Sequence, residues 1–177
     1  MQCAGAAFGP IVAIDLPGHG ESAGDVTAPA ETARLVAAAI HELGLQGCRL
    51  WGRGLGATVA VELAHLSGVD IAGIEIEELR KLGPDEKAKW QGRYASPIIP
   101  AWDGTHLITL WNEIRDREFF VPWFQRTRDA IRQVEPDVDA ERLTQKLFAA
   151  LLCRDWAGAH RAWLQWPVER LAGLRCP

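Results

Sequence analysis

Between Cys48 and Ala64 the sequence reads CRLWGRGLGATVAVELA, with glycines at 52, 54 and 56. An apolar strand that turns a glycine-studded corner into a helix can present a nucleophile at its apex, next to backbone N–H groups that stabilise an oxyanion. The apex position is Gly54, and the N–H that follows belongs to Leu55. Attack from such an apex needs an electron pair on a side-chain atom, as Ser, Asp or Cys would supply. Gly54 supplies none. The same glycines fit a second chemistry. Gly52-x-Gly54-x-x-Ala57 satisfies the dinucleotide pattern G-x-G-x-x-G/A, and Glu75 and Glu77 stand about 20 residues further on, where an acid would hold a ribose hydroxyl. Against that reading, a strand and a helix precede the corner, whereas a dinucleotide-binding domain usually opens with it.

The elements that would hold this corner follow from the hydrophobic pattern. GPIVAID is a short apolar run bounded by turn residues and reads as a buried strand. LPGHGESAGDVTAP is loop, dense in Gly and Pro. In AETARLVAAAIHELG, Leu35, Val36, Ala39, Ile40 and Leu43 recur at helical spacing, and Gly44 supplies a stop. CRLW reads as a strand, ATVAVELAHLSG as a helix apolar on several faces, and VDIAGIEIEEL as another strand. Strand, helix, strand, helix, strand implies an α/β fold with a parallel sheet and right-handed crossovers, a doubly wound unit from about residue 8 to 78.

Two motifs now stand together. IVAIDLPGHGES contains D-x-P-G-x-G-x-S through Asp15, Pro17, Gly18, Gly20 and Ser22, and LWGRGLGATVA follows the next helix. The pair resembles the α/β-hydrolase superfamily, specifically its cap-bearing members such as epoxide hydrolases, haloalkane dehalogenases and small-ester hydrolases. The resemblance covers essentially the whole chain. It implies a partial α/β-hydrolase fold carrying a helical cap, with a core segment over 1–78, the cap over 79–171, and the start of a further core strand over 172–177. It also implies that Gly54 occupies the nucleophile position and that Leu55 is a backbone oxyanion donor. In the family, a second oxyanion donor comes from an HG loop before the D-x-P-G strand, and the acid and histidine lie on strands after the cap. The expectation is therefore an internal piece of a hydrolase, inactive as it stands. A non-catalytic binding or strand-pairing module is the alternative.

From Arg80 to Leu171 the pattern shows only helices and loops. TRDAIRQV and DAERLTQKLFAALLCRDW read as helices, the second with Asp139 as N-cap and Leu143, Leu147 and Leu151 on one face. DGTHLITLWNEIRDREFF begins with Asp103 in a cap-like position and His106 on the first turn. Seven of the eight tryptophans lie beyond residue 89. Trp102, Trp111, Phe119, Phe120, Trp123 and Phe124 read either as the cap's core or as the lining of an apolar pocket. The candidate substrate-binding set is Trp102, Asp103, His106, Trp111, Phe120 and Trp123. The other histidines have plain readings: His19 in its loop, His41 and His65 at helix C-termini, His160 on a helix surface. Arg115, Asp116 and Arg117 read as a solvated charge run.

A formal net charge of -4 argues against nucleic acid as the main partner. No apolar run is long enough to span a bilayer, and the N-terminus does not read as a signal peptide. Cys3, Cys48, Cys153 and Cys176 are dispersed, which fits packing residues in a reducing cytoplasm. No metal and no cofactor is expected. The expected partners are a small apolar substrate or ligand and, through bare sheet edges, a second copy of the chain.

Overall fold

The computed structural model describes residues 9–174. The core is built on two parallel strands, β1 (Cys48–Arg53) and β2 (Ile71–Glu77), which pair from Cys48 opposite Ile71 to Arg53 opposite Glu77. A parallel pair needs a crossover, and α2 (Leu55–Ala64) provides it. Helix α1 (Pro29–Glu42) opens on Pro29, whose fixed φ suits a first helical position. Ala33 and Ile40 of α1 meet Val59 and Leu63 of α2, with Leu50 and Ile71 of the strands packed against them. Alanine and valine dominate α2, so it can lie close to both the strands and α1. The sheet's other face is open: Trp51 is 62% exposed.

Residues beyond β2 form a helical layer of α3 (Pro84–Tyr94), α4 (Thr105–Phe119), α5 (Ala140–Leu151) and α6 (Trp156–Gln165). Leu110 and Ile114 of α4 pack on Leu143 and Ala150 of α5, while Trp90, Tyr94 and Leu164 join α3 to α6. Asp139 caps α5 by accepting from the Arg142 N–H at 2.9 Å. Leu143 and Leu147 of the predicted stripe join this packing, but Leu151 is 37% exposed.

Three sequence expectations are corrected. GPIVAID is not a strand over its described residues: it is irregular, Ile11 and Val12 are more than half exposed, and no described strand lies beside it to form a ladder. The sheet therefore has two strands among the described residues, not three. TRDAIRQV contains only a 3-10 turn at Arg128–Ala130, because Ile131 bridges antiparallel to Phe120 and pulls the segment out of helix. Residues 172–174 form no strand, and 175–177 lie outside the described residues.

Candidate functional site

The corner between β1 and α2 has the shape the glycines imply. Gly54 adopts φ 56° and ψ -117°, and its N–H donates to the Glu77 carbonyl at 3.2 Å, tying the apex to the end of β2. A Cβ on Gly52 would fall 2.5 Å from the Gly56 carbonyl oxygen and 2.8 Å from the Ala57 nitrogen. Gly52 is thus required because the strand and the first turn of α2 touch there. A Cβ on Gly54 would meet only Trp163 of α6, at 4.0 Å. The apex has room for a side chain and faces the helical layer. Leu55 is the first residue of α2, where a helix leaves its N–H without an internal partner. Asp15 and Ser22 close the preceding loop on itself: Ser22 Oγ donates to the Asp15 carbonyl at 2.6 Å, and the Glu21 N–H to Asp15 Oδ2 at 3.3 Å.

Beside the apex lies a cleft of about 510 Å³, walled by Trp90, Tyr94, Phe120 and Trp163 and edged by Glu78, Arg117 and Arg132. Glu78, just past β2, has φ 63°, costly for a residue with a side chain. It is held by Arg53, whose Nη2 donates to Oε1 at 2.5 Å, and by Arg132 at 3.7 Å. That hydrogen bond raises the Arg53 pKa above its ordinary value. Arg117 pairs with Glu113 and donates to His160 Nε2 at 3.2 Å, while His160 Nδ1 donates to the Trp156 carbonyl at 2.9 Å. These bonds define a neutral imidazole protonated on Nδ1. Burial, and then the charge of Arg117, push its pKa down to about 3. Burial raises Tyr94 above its ordinary value, and it raises Glu113 above its ordinary value despite Arg117.

Only Phe120 of the expected substrate-binding set lines this cleft. Trp102 is 99% exposed. Asp103 accepts from the Thr105 N–H and hydroxyl, and His106 Nδ1 accepts from the Ala101 N–H at 3.0 Å, so both organise the start of α4. Trp111 packs between α4 and α5, and Trp123 joins the aromatic cluster of α3 and α6. Two plain readings are overturned. His160 is buried rather than on a helix surface, and the charge run is not solvated: Asp116 is 3% exposed and takes hydrogen bonds from Arg115 and Arg126. Both lie on faces that pack against other parts of the layer, which periodicity within one segment does not reveal. Cys48 and Cys153 are free thiols, while Cys3 and Cys176 fall outside the described residues.

The chain as a whole finds counterparts among known proteins. The Alpha/beta hydrolase family profile matches residues 1–177. The chain belongs to the alpha/beta hydrolase family. No curated protein matches it. Among solved structures it is similar to a thermophilic esterase from Thermogutta terrifontis, solved with malate bound, at a TM-score of 0.55 and 22% identity. That alignment covers 92% of this chain and 57% of the esterase, so the chain spans little more than half that protein's length. No group of three or more metal-ligating side chains, and no helix long and apolar enough to cross a membrane, occurs among the described residues.

Proposed function

We propose that this hydrolase-family chain binds a small apolar molecule under its helical layer and does not cleave esters, epoxides or halides by attack from the elbow. One observation carries the reading: the elbow apex, at φ 56° and ψ -117°, is occupied by a residue with no side-chain nucleophile. The cleft beside it sets the aromatic faces of Trp90, Tyr94, Phe120 and Trp163 within a charged rim that includes Glu78, Arg80, Arg117, Asp129 and Arg132, and the rings supply the apolar contact that a small-molecule site uses. Four dispersed cysteines support a reducing compartment, the cytoplasm. The test is an assay with p-nitrophenyl acetate and butyrate. The expected rate equals that of buffer. Turnover that is equal in the chain and in Gly54→Ala would mean that a nucleophile elsewhere does the chemistry, and would overturn the reading.

A second reading, pairing with another copy, is favoured by the open sheet. β1 has one described neighbour, β2, and Trp51, Ile11 and Val12 are exposed. Unpaired edges and apolar faces of this kind template association. Sedimentation across a hundredfold dilution should show a dimer that dissociates. A monomer at every concentration would end this reading.

A further inference from the structure

We propose that two copies of this chain meet through the open face of the sheet, with β1 of one copy lying over β2 of the other and arginines facing glutamates. This rests on the self-pairing proposed above and names the surface that carries it. Side chains alternate between the two faces of a strand. Leu50 packs on the core of α1 and α2, and Gly52 abuts the first turn of α2, so Arg49, Trp51 and Arg53 point the other way. The register sets Trp51 opposite Glu75 and Arg53 opposite Glu77, which places both glutamates on that same open face. One strand thus carries two arginines about a tryptophan, and the other carries two glutamates.

These charges are left over within the chain. Arg49 lies opposite Gly73, which offers no side chain, and Arg53 bonds Glu78 rather than Glu77. Among the described residues Arg49, Glu75 and Glu77 form no ion pair. All three are exposed, and Trp51 stands among them 62% exposed. A tryptophan within a charged surround has the make-up of a contact surface, an aromatic centre with a polar rim. The order of the charges selects the symmetry. A twofold axis across the strands would lay β1 on β1 and oppose arginine to arginine, which costs free energy. A twofold axis along the strands lays β1 over β2 at equal height. Arg53 then faces Glu77 of the partner subunit, and Arg49 reaches Glu75 of the partner subunit, one step along the same face. The two Trp51 rings meet between these pairs. Stacked sheets lie about 10 Å apart, a gap that an arginine and a glutamate span together. A face that is its own complement under a twofold axis fits a second copy of the chain better than an unrelated protein.

Sedimentation equilibrium is measured on the full chain and on two charge reversals at exposed positions, Arg49→Glu and Glu75→Arg. Each reversal alone should weaken the dimer about tenfold or more, because the twofold axis sets like charges together twice. Mixed in equal amounts, the two variants should form a heterodimer within about threefold of the parent's affinity, since each supplies the charge that the other lacks. Circular dichroism checks that both variants keep the fold. The parent dimer should also weaken about threefold or more between about 0.05 M and about 0.5 M NaCl, and this measurement decides if a reversal disturbs the fold. A dimer that the reversals leave unchanged, variants that stay monomeric when mixed, or a parent dimer indifferent to salt overturns this surface and leaves self-pairing through a sheet edge standing. A parent that is monomeric at every concentration overturns self-pairing itself, and this surface with it.

Discussion

Gly54 sits at φ 56° and ψ -117°, a backbone conformation that costs a residue with a side chain on the order of 1–3 kcal/mol. Space is not the obstacle there, since an added Cβ meets only the edge of Trp163 at 4.0 Å. Gly54→Ser should therefore fold, with a lower melting temperature and the same secondary structure. The loss should be about 1–3 kcal/mol in urea unfolding. A serine variant as stable as the parent would mean that the elbow relaxes easily and that glycine is not there for its backbone. The conformation belongs to the corner between β1 and α2, and any residue with a side chain there must bear its strain. This residue was legible in the sequence because its spacing to Gly52 and Gly56 fixes the corner. Glu78 was not legible. Its positive φ arises from the path of the chain leaving β2 and is held by Arg132, 54 positions later.

At the scale of elements, legibility followed the range of the interactions. Helices α1 and α2 and strand β2 show in the pattern because each buries one stripe or face against near neighbours, and α5 shows because Asp139 caps it. GPIVAID has strand composition, yet a strand is made by its neighbours, and none of the described strands lies beside it. TRDAIRQV has helical composition, and a single bridge from Ile131 to Phe120 outweighs it. Propensities of tenths of a kcal/mol per residue yield to such tertiary contacts. The lone Glu62 in the apolar helix ATVAVELA was a signal that could have been used. A carboxylate that is buried must be paired. Its partners are Arg170, which donates to both oxygens at 2.9 and 2.7 Å, and Trp166 Nε1 at 2.8 Å.

Over the whole molecule, the helical layer is tied to the strands by polar contacts set into apolar surroundings, and these make stability depend on pH. Arg154 N–H donates to the Gly18 carbonyl, Arg170 clasps Glu62 of α2, and Arg132 reaches Glu78. The Arg170 hydrogen bond holds Glu62 below the ordinary carboxylate pKa. Deep among Tyr94, Trp156 and Trp163, His160 is held neutral, with its pKa at about 3 against an ordinary 6.5. In the unfolded chain that imidazole takes up a proton below pH 6.5, and in the folded chain it does not. Its contribution is fully present above pH 6.5 and is lost progressively as pH falls towards 3. Glu62 adds a loss of the same sign, confined to the carboxylate range. Glu113, whose pKa is raised by burial, acts in the opposite sense as pH falls through its folded value. Between pH 6.5 and 5 the histidine contributes a decline of up to about 1.4 kcal/mol per pH unit, and Glu113 opposes it. Urea midpoints measured at pH 7.5, 6.5, 5.5 and 5 should be level at first and then decline. In His160→Gln the chain should start less stable, and the decline over this interval should flatten. A variant that keeps the parent's full slope would show that the aromatic interior does not exclude a proton from His160.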